Sequence, residues 1–394
     1  MLFKPLGGQG FGNVINGLLS AHMLADEYDR IVCVDPNFKA FLRAFEPLQT
    51  HEEADFCASE WYAHKSTKRD KKDQARDCKI VNFSAGTLNE CTLRECLSHD
   101  GPITFTGNTY PRWSHVSKDY FATHYQPTKL LEAILPWHPN PPDVVVHLRK
   151  EDGQKDKRKG LDDDTFHALG KMLPSDTFLV TNNVGWYSFF GVNYGWKNSG
   201  WFEVKHSILK KTWGNRGVPD QQEVVETMVT NKLNITVDQL HELTMYSDWW
   251  TLASAKQKVW HTHSDFSLSA VHWMNKESKT IMGMREVAEE DLEDHPDLKV
   301  GDQMLDLIDE EWIRDGETPR LVDRTLDMLK NCDDEQLKKL KAKAASGAAK
   351  KRTKRVYESI GDDDNPLRHI EFPDDLQMRF DSRQYAYFNP RNLL

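Results

Sequence analysis

With 394 residues, of which 39 % are hydrophobic and 28 % charged, the chain holds enough apolar material for more than one core and is too mixed to be disordered throughout. A formal net charge of -10 and a pI near 5.9 exclude general affinity for nucleic acid, because phosphate binding needs a positive surface that displaces condensed counterions. No run reaches the ~20 consecutive apolar residues of a membrane span and no signal-peptide pattern opens the sequence, so it reads as cytoplasmic as written, or as Golgi or secretory-lumenal if an anchor precedes it.

The opening alternates strand and helix. Residues 2–6 read as a strand, GGQGFGN (7–13) as a glycine-rich turn, 14–28 as a helix with Ile15, Leu18, Leu19, His22 and Met23 at helical spacing, and 30–34 as a second strand. Short apolar runs (FKAFLRAF, KIVNFS, ITFTG) continue to about residue 130, interrupted by the charged stretch HKSTKRDKKDQARD, a surface loop. Cys33 lies in the apolar run IVCV, and Cys57, Cys78, Cys91 and Cys96 crowd one segment. Cys91 and Cys96 are five apart, unlike the short pairs zinc favours, so free thiols or two disulfides both fit. Asn82 and Asn234 open glycosylation sequons that matter only in a secretory compartment.

Pro136, Pro139, Pro141 and Pro142 can neither continue a helix nor pair inside a sheet, which places a domain boundary between residues 136 and 143. Beyond it, strands are expected at 144–148, 178–181, near 202–204 and at 258–261, with helices at 164–173, 220–231 and 237–255. Strands alternating with helices demand a mostly parallel, doubly wound sheet. Residues 1–136 and 143–284 thus read as two α/β lobes. The acidic region 285–335 reads as amphipathic helices, followed by a basic block at 338–355 that is a solvated helix or linker.

Three segments carry chemistry. In the first, Gly7, Gly8, Gly10, Gly12 and Asn13 sit between strand and helix, where glycine lets a ligand or another backbone approach closely. The turn fits a sugar-nucleotide transferase, a plain structural turn or a dinucleotide site. Asp35 suits the last, yet the third glycine of G-x-G-x-x-G falls on Asn13 or Ile15.

The second is VVVHLRKEDGQ. Its strand ends in His147, Leu148 and Arg149 and runs into a charged loop with Lys150, Asp152 and Asp156. Ligands bind at the carboxyl ends of strands in open α/β sheets, and the five-donor fork of an arginine suits a diphosphate there. An ordinary surface ion pair between Arg149 and Asp152 is the competing reading. The third comprises FLVTNN, ending in Asn182 and Asn183, and SDWWTLASAKQKVWHTHSDFSLSAVHW, in which Asp248 precedes a strand and the turn Ser264, Asp265, Phe266, Ser267 opens a helix. Such a helix start favours phosphate, and Ser264 or Asp265 also suits an N-cap.

HLRKED resembles the H-x-R-R-x-D motif of the GDP-fucose-dependent fucosyltransferases (the α1,2, α1,6 and protein O-fucosyltransferases), FLVTNN their second motif, and THSDFSLSAVHW their third. The resemblance covers residues 2–35 and 143–275. It implies an α/β fold of GT-B type, two Rossmann-like lobes facing a cleft, here with a C-terminal helical extension over 285–394. It further implies inverting, metal-independent transfer of fucose from GDP-fucose, with no cofactor beyond the nucleotide-sugar co-substrate, to a glycan or glycoprotein hydroxyl.

By the same resemblance, Arg149 contacts the β-phosphate with His147 beside it, Asp248 falls on an aspartate near guanine, and Ser264 and Ser267 lie in the phosphate turn. Gly10, Gly12, Asn13, Lys150, Asn182, Asp265 and Phe266 complete the donor site expected here. Lys150 replaces the family's second arginine, and Leu268 and Ser269 replace paired tryptophans. Asp152 and Asp156 are the nearest candidates for the base that deprotonates the acceptor. The runs Asp162–Asp164 and Asp362–Asp364 have metal-site spacing but lie in loop-like sequence. A catalytically idle nucleotide- or carbohydrate-binding module and a dinucleotide oxidoreductase are the competing functions.

Overall fold

The computed structural model describes residues 1–5, 10–66, 78–81, 103–106, 119–149, 161–198, 229–262, 264–274 and 276–309. Two mostly parallel sheets organise them. The first has the order β2-β1-β5-β4, from β1 (Leu2–Phe3), β2 (Cys33–Val34), β4 (Cys78–Val81) and β5 (Ile103–Thr106). Helix α1 (Phe11–Glu27) joins β1 to β2, so the βαβ unit forms, with strands shorter than the apolar runs suggest. Helices α2 (Lys39–Ala44), α3 (His51–Ser66), α4 (Tyr120–His124) and α5 (Lys129–Ile134) flank it, and β3 (Phe45–Pro47) pairs with β6 (Tyr125–Pro127) as an antiparallel ribbon. A disulfide joins Cys33 to Cys57, tying β2 to α3.

The second sheet has the order β12-β11-β10-β7-β8-β9. Strands β7 (Val144–Leu148), β8 (Phe178–Thr181) and β10 (Lys258–His261) fall where apolar runs put them, and β9 (Lys197–Asn198) is a short edge. The strand expected near 202–204, and most of the helix expected at 220–231, lie outside the described residues. Both faces of the sheet are buried, and side-chain alternation sorts them. Val146, Leu148, Leu179 and Trp260 face helices α6 (Asp163–Met172) and α7 (Val184–Tyr194). Val145, Phe178, Val180 and Val259 face helices α8 (Val237–Ser254) and α9 (Asp265–Trp273). Covering both faces is what makes near-continuous apolar strands stable.

Residues 285–309 differ from the helices expected there. Strand β11 (Glu277–Glu286) continues the parallel sheet beside β10, and β12 (Gln303–Asp309) returns antiparallel along it as the outer edge. In MLDLID each acidic residue follows a pair of apolar ones, a spacing that suggested a helix, and the acidic Asp306 on an edge strand discourages further pairing. Arg285 reaches Asp291 through two 2.6 Å hydrogen bonds, anchoring the intervening turn.

One core joins the two sheets. Helix α8 is buried on most of its surface, started by a capping box between Thr236 and Gln239, and it packs on α2 and α5 as well as on β7 and β8. Phe11, Phe41 and Phe45 surround Tyr246 and Trp249, with Phe11 and Tyr246 edge to face at 4.8 Å. Polar bonds fix the same contact: Arg43 to Glu242 at 3.1 Å, Trp137 Nε1 to Thr251 Oγ1 at 2.8 Å and Trp273 Nε1 to Asn16 Oδ1 at 2.7 Å. The last links α9 to α1, with Asn16 only 1 % exposed.

Candidate functional site

In the second sheet the chain runs outward from β7 through β8 to β9, then returns to place β10 on the other side of β7. The strand order therefore reverses between β7 and β10. Loops leaving the carboxyl ends of two such strands diverge to opposite faces and open a crevice, the place where α/β sheets bind ligands. Arg149 is the first residue beyond β7, Thr262 the first beyond β10, and Ser264 the residue before α9.

These two strand ends meet. Arg149 Nη1 donates to Ser264 Oγ at 3.3 Å, and the Arg149 amide donates to Thr262 Oγ1 at 3.2 Å. Ser264 is the N-cap of α9 and also accepts the Phe266 amide at 3.4 Å. With two donors on its oxygen, the Ser264 hydroxyl proton is directed to an acceptor other than these. Arg149 is exposed, whereas Ser264 is 4 % exposed, so an open guanidinium is braced on a buried hydroxyl. His147, 5 % exposed, lies with its ring 5.5 Å from that of Phe266.

Ser267 is fully buried and its hydroxyl donates to the carbonyls of Ser264 at 3.1 Å and Thr262 at 3.4 Å, closing the turn on itself. Asp265 stands exposed in the first turn of α9. Asn182 follows β8 on the same edge of the sheet, and Asn183 caps α7 by accepting the Gly185 amide at 2.9 Å. Asp248 is 3 % exposed within α8, the helix that leads to β10, as the sequence reading placed it.

The glycine turn arrives from the first sheet. Gly10 is the N-cap of α1, supplies no side-chain cap, and no acidic residue occupies the helix's first turn. Asn13, half-buried, follows in that turn. A Cβ on Gly12 would stand 2.2 Å from the Asp265 carbonyl oxygen and 2.6 Å from the Phe266 nitrogen. Helix α1 therefore crosses the start of α9 at backbone contact, and the need for glycine at 12 comes from that crossing. The starts of two helices, α1 and α9, meet where Gly12 packs on Asp265 and Phe266, and the Ser264 cap of α9 takes the Arg149 guanidinium; the dipoles at such helix starts favour an anion.

Lys150, Asp152 and Asp156 lie outside the described residues, as do Gly7, Gly8 and Asp362–Asp364. Asp162 caps α6 through the Thr165 amide and hydroxyl, so the run Asp162–Asp164 starts a helix. Those two bonds hold its carboxyl below the usual carboxylate range. Among the described residues, no cluster of three or more His, Cys, Asp or Glu suits a metal ion, and no helix is long and apolar enough to cross a membrane. Thr262 and Asn16 were not singled out from the sequence. Asn16 had a signal, a polar residue on the apolar stripe of α1, whereas Thr262 is visible only once β7 and β10 are neighbours.

No protein-family model matches the chain, and no curated protein matches it. Solved structures do. A mutant of Arabidopsis thaliana FUT1 in complex with GDP is similar over 71 % of this chain and 70 % of its own, at 11 % identity and a TM-score of 0.42. NodZ α-1,6-fucosyltransferase co-crystallised with GDP is similar over 78 % of this chain and 97 % of its own, at 14 % identity and a TM-score of 0.38. Fucosyltransferase NodZ from Bradyrhizobium gives 78 % and 98 %, 14 % identity and 0.37.

Proposed function

We propose that the chain is an inverting glycosyltransferase that moves fucose from GDP-fucose to a hydroxyl of a glycan or glycoprotein, without a metal. In this reading it is a GT-B protein whose first lobe, residues 1–136, takes the acceptor. The second, beginning at residue 143 and including β11 and β12, takes the donor. The observation that carries the proposal is the pairing of Arg149 with Ser264 where the strand order reverses, beside two helix N-termini. The ordered likeness of HLRKED, FLVTNN and THSDFSLSAVHW to fucosyltransferase motifs supplies the choice of donor.

The chemistry follows from charge. As the bond between the anomeric carbon and the β-phosphate oxygen breaks, its electron pair goes to that oxygen while the sugar gains oxocarbenium character. Fixed positive charge and aligned N–H and O–H donors at the phosphate are then the largest catalytic term. Arg149 supplies the charge, Ser264 a directed O–H, and the starts of α9 and α1 their amides. The acceptor oxygen attacks the opposite face of the sugar and gives its proton to a carboxylate, for which Asp152 and Asp156 are the candidates.

The test is turnover of GDP-fucose, as hydrolysis and as transfer to a panel of glycans, by the wild type and by Arg149→Ala. Loss of one such donor costs on the order of 10²–10³ in rate, so the variant should fall by at least that factor while keeping its melting temperature. A folded Arg149→Ala that turns over like the wild type would overturn the assignment.

A further inference from the structure

Strands β7 and β10 are hydrogen-bonded in parallel up to the pair His147 and His261, and the Thr262 amide continues the ladder by donating to the His147 carbonyl at 3.0 Å. The next bond of a parallel ladder would run from the Arg149 amide to the Thr262 main-chain carbonyl. The chain does otherwise. The Arg149 amide donates to the Thr262 side chain, Oγ1, at 3.2 Å. The carbonyl so released accepts the Ser267 hydroxyl of α9 at 3.4 Å, with His261 Nδ1 3.2 Å away.

Thr262 thus reaches both halves of the anion site. Its hydroxyl oxygen ends the β7 ladder one atom group away from the sheet and sets where the Arg149 backbone leaves it. Its carbonyl holds the first turn of α9, whose cap Ser264 takes the Arg149 guanidinium. Arg149 is therefore held at both ends, by Thr262 at the amide and by Ser264 at the guanidinium. We infer that Thr262 is the positioning residue of the site: it does not touch the donor but fixes Arg149 where a diphosphate is bound. The inference rests on the function proposed above and adds to it a residue to which that function gives no role.

The side-chain oxygen is the feature that matters, so Thr262→Val, which keeps the shape and replaces the hydroxyl with a methyl, is the informative change, with Thr262→Ser as its rescue. Displacement of a charged group by about 1 Å costs up to on the order of a hundredfold in rate. Thr262→Val should weaken GDP binding by about tenfold and lower turnover of GDP-fucose by ten- to a hundredfold, whereas Thr262→Ser stays near wild type. Because Thr262 acts through Arg149, adding Thr262→Val to Arg149→Ala should weaken GDP binding no further, a non-additivity that a general loss of stability would not produce.

Calorimetry with GDP separates the outcomes. Wild-type affinity retained by Thr262→Val while Arg149→Ala has lost it would refute the positioning role and leave the site intact. Equal losses in Thr262→Ser and Thr262→Val would also refute it, since the hydroxyl would then be irrelevant. Should Thr262→Val not fold, Thr262→Ala removes the same oxygen without adding a methyl and carries the same expectations. A wild type that does not bind GDP would remove the proposed function itself, before any variant of Thr262 is made.

Discussion

Replacing Gly12 with alanine tests the contact on which the site is built. Ordinary contacts begin at 3.4 Å, and the new methyl would meet the Asp265 carbonyl oxygen at 2.2 Å and the Phe266 nitrogen at 2.6 Å. Both are backbone atoms of another helix, so no side chain can swing aside, and α1 and α9 must part by about 1 Å. Forcing a methyl into a closed contact costs about 1–3 kcal/mol. The helix propensity gained from alanine is worth at most about 1 kcal/mol, so the clash wins.

At about 2–4 °C per kcal/mol for domains of 150–250 residues, Gly12→Ala should lower the melting temperature by several degrees. Gly191 in α7 is the control, because its added Cβ would meet only the Trp196 carbonyl oxygen at an ordinary 3.7 Å. Gly191→Ala should be neutral or stabilising by up to about 1 kcal/mol. Differential scanning calorimetry on both variants decides the matter. A Gly12→Ala protein that melts with or above the wild type would show that the two helix starts are not in backbone contact.

Two further perturbations probe the packing around α1. Trp273→Phe removes the donor to Asn16 Oδ1, leaving a buried acceptor without it, and should cost about 1–3 kcal/mol in urea denaturation; an unchanged midpoint would contradict the α1 to α9 link. His22 and His124 lie with ring centroids 4.1 Å apart and planes tilted by 30°, His22 bonds Tyr125 Oη at 2.8 Å, and Asp26, Tyr120 and the Met1 amino group lie near them. Burial lowers both histidines from 6.5, and for His22 the neighbouring His124 lowers it further. The unfolded chain therefore takes up protons first, so their contribution to stability is complete above about pH 6.5 and is lost as the pH falls below it. Denaturation midpoints measured from pH 7.5 to 5 should fall less steeply in His124→Phe than in the wild type, and parallel curves would refute the pairing.

How much of this the sequence disclosed depended on how local the signal was. VVVHL, FLVT and KVWH are apolar runs bounded by polar turns, and each is a strand because both faces of its sheet are covered. The helix expected at 237–255 matches α8, whose start the structure shows to be capped by Thr236 and Gln239. MLDLID was misread because acidic residues between apolar ones suit an amphipathic helix and an edge strand alike, and only the pairing partner β11 decides. Arg149 and Ser264 were visible as candidates, each at a strand end. Thr262 was not, since its importance comes from a hydrogen bond to a residue 113 positions away. Gly12, too, was seen as a turn glycine, although its reason is a helix from the other sheet.

In the proposed function, Arg149, Ser264 and two helix starts form one diphosphate site. Isothermal titration with GDP, comparing the wild type with Arg149→Ala and Ser264→Ala, is the test of that site. The wild type should bind saturably and Arg149→Ala at least about tenfold more weakly, as expected for a lost charged hydrogen bond of about 1.5–3 kcal/mol, with a smaller loss in Ser264→Ala. Absence of GDP binding, or binding that neither substitution alters, would contradict it.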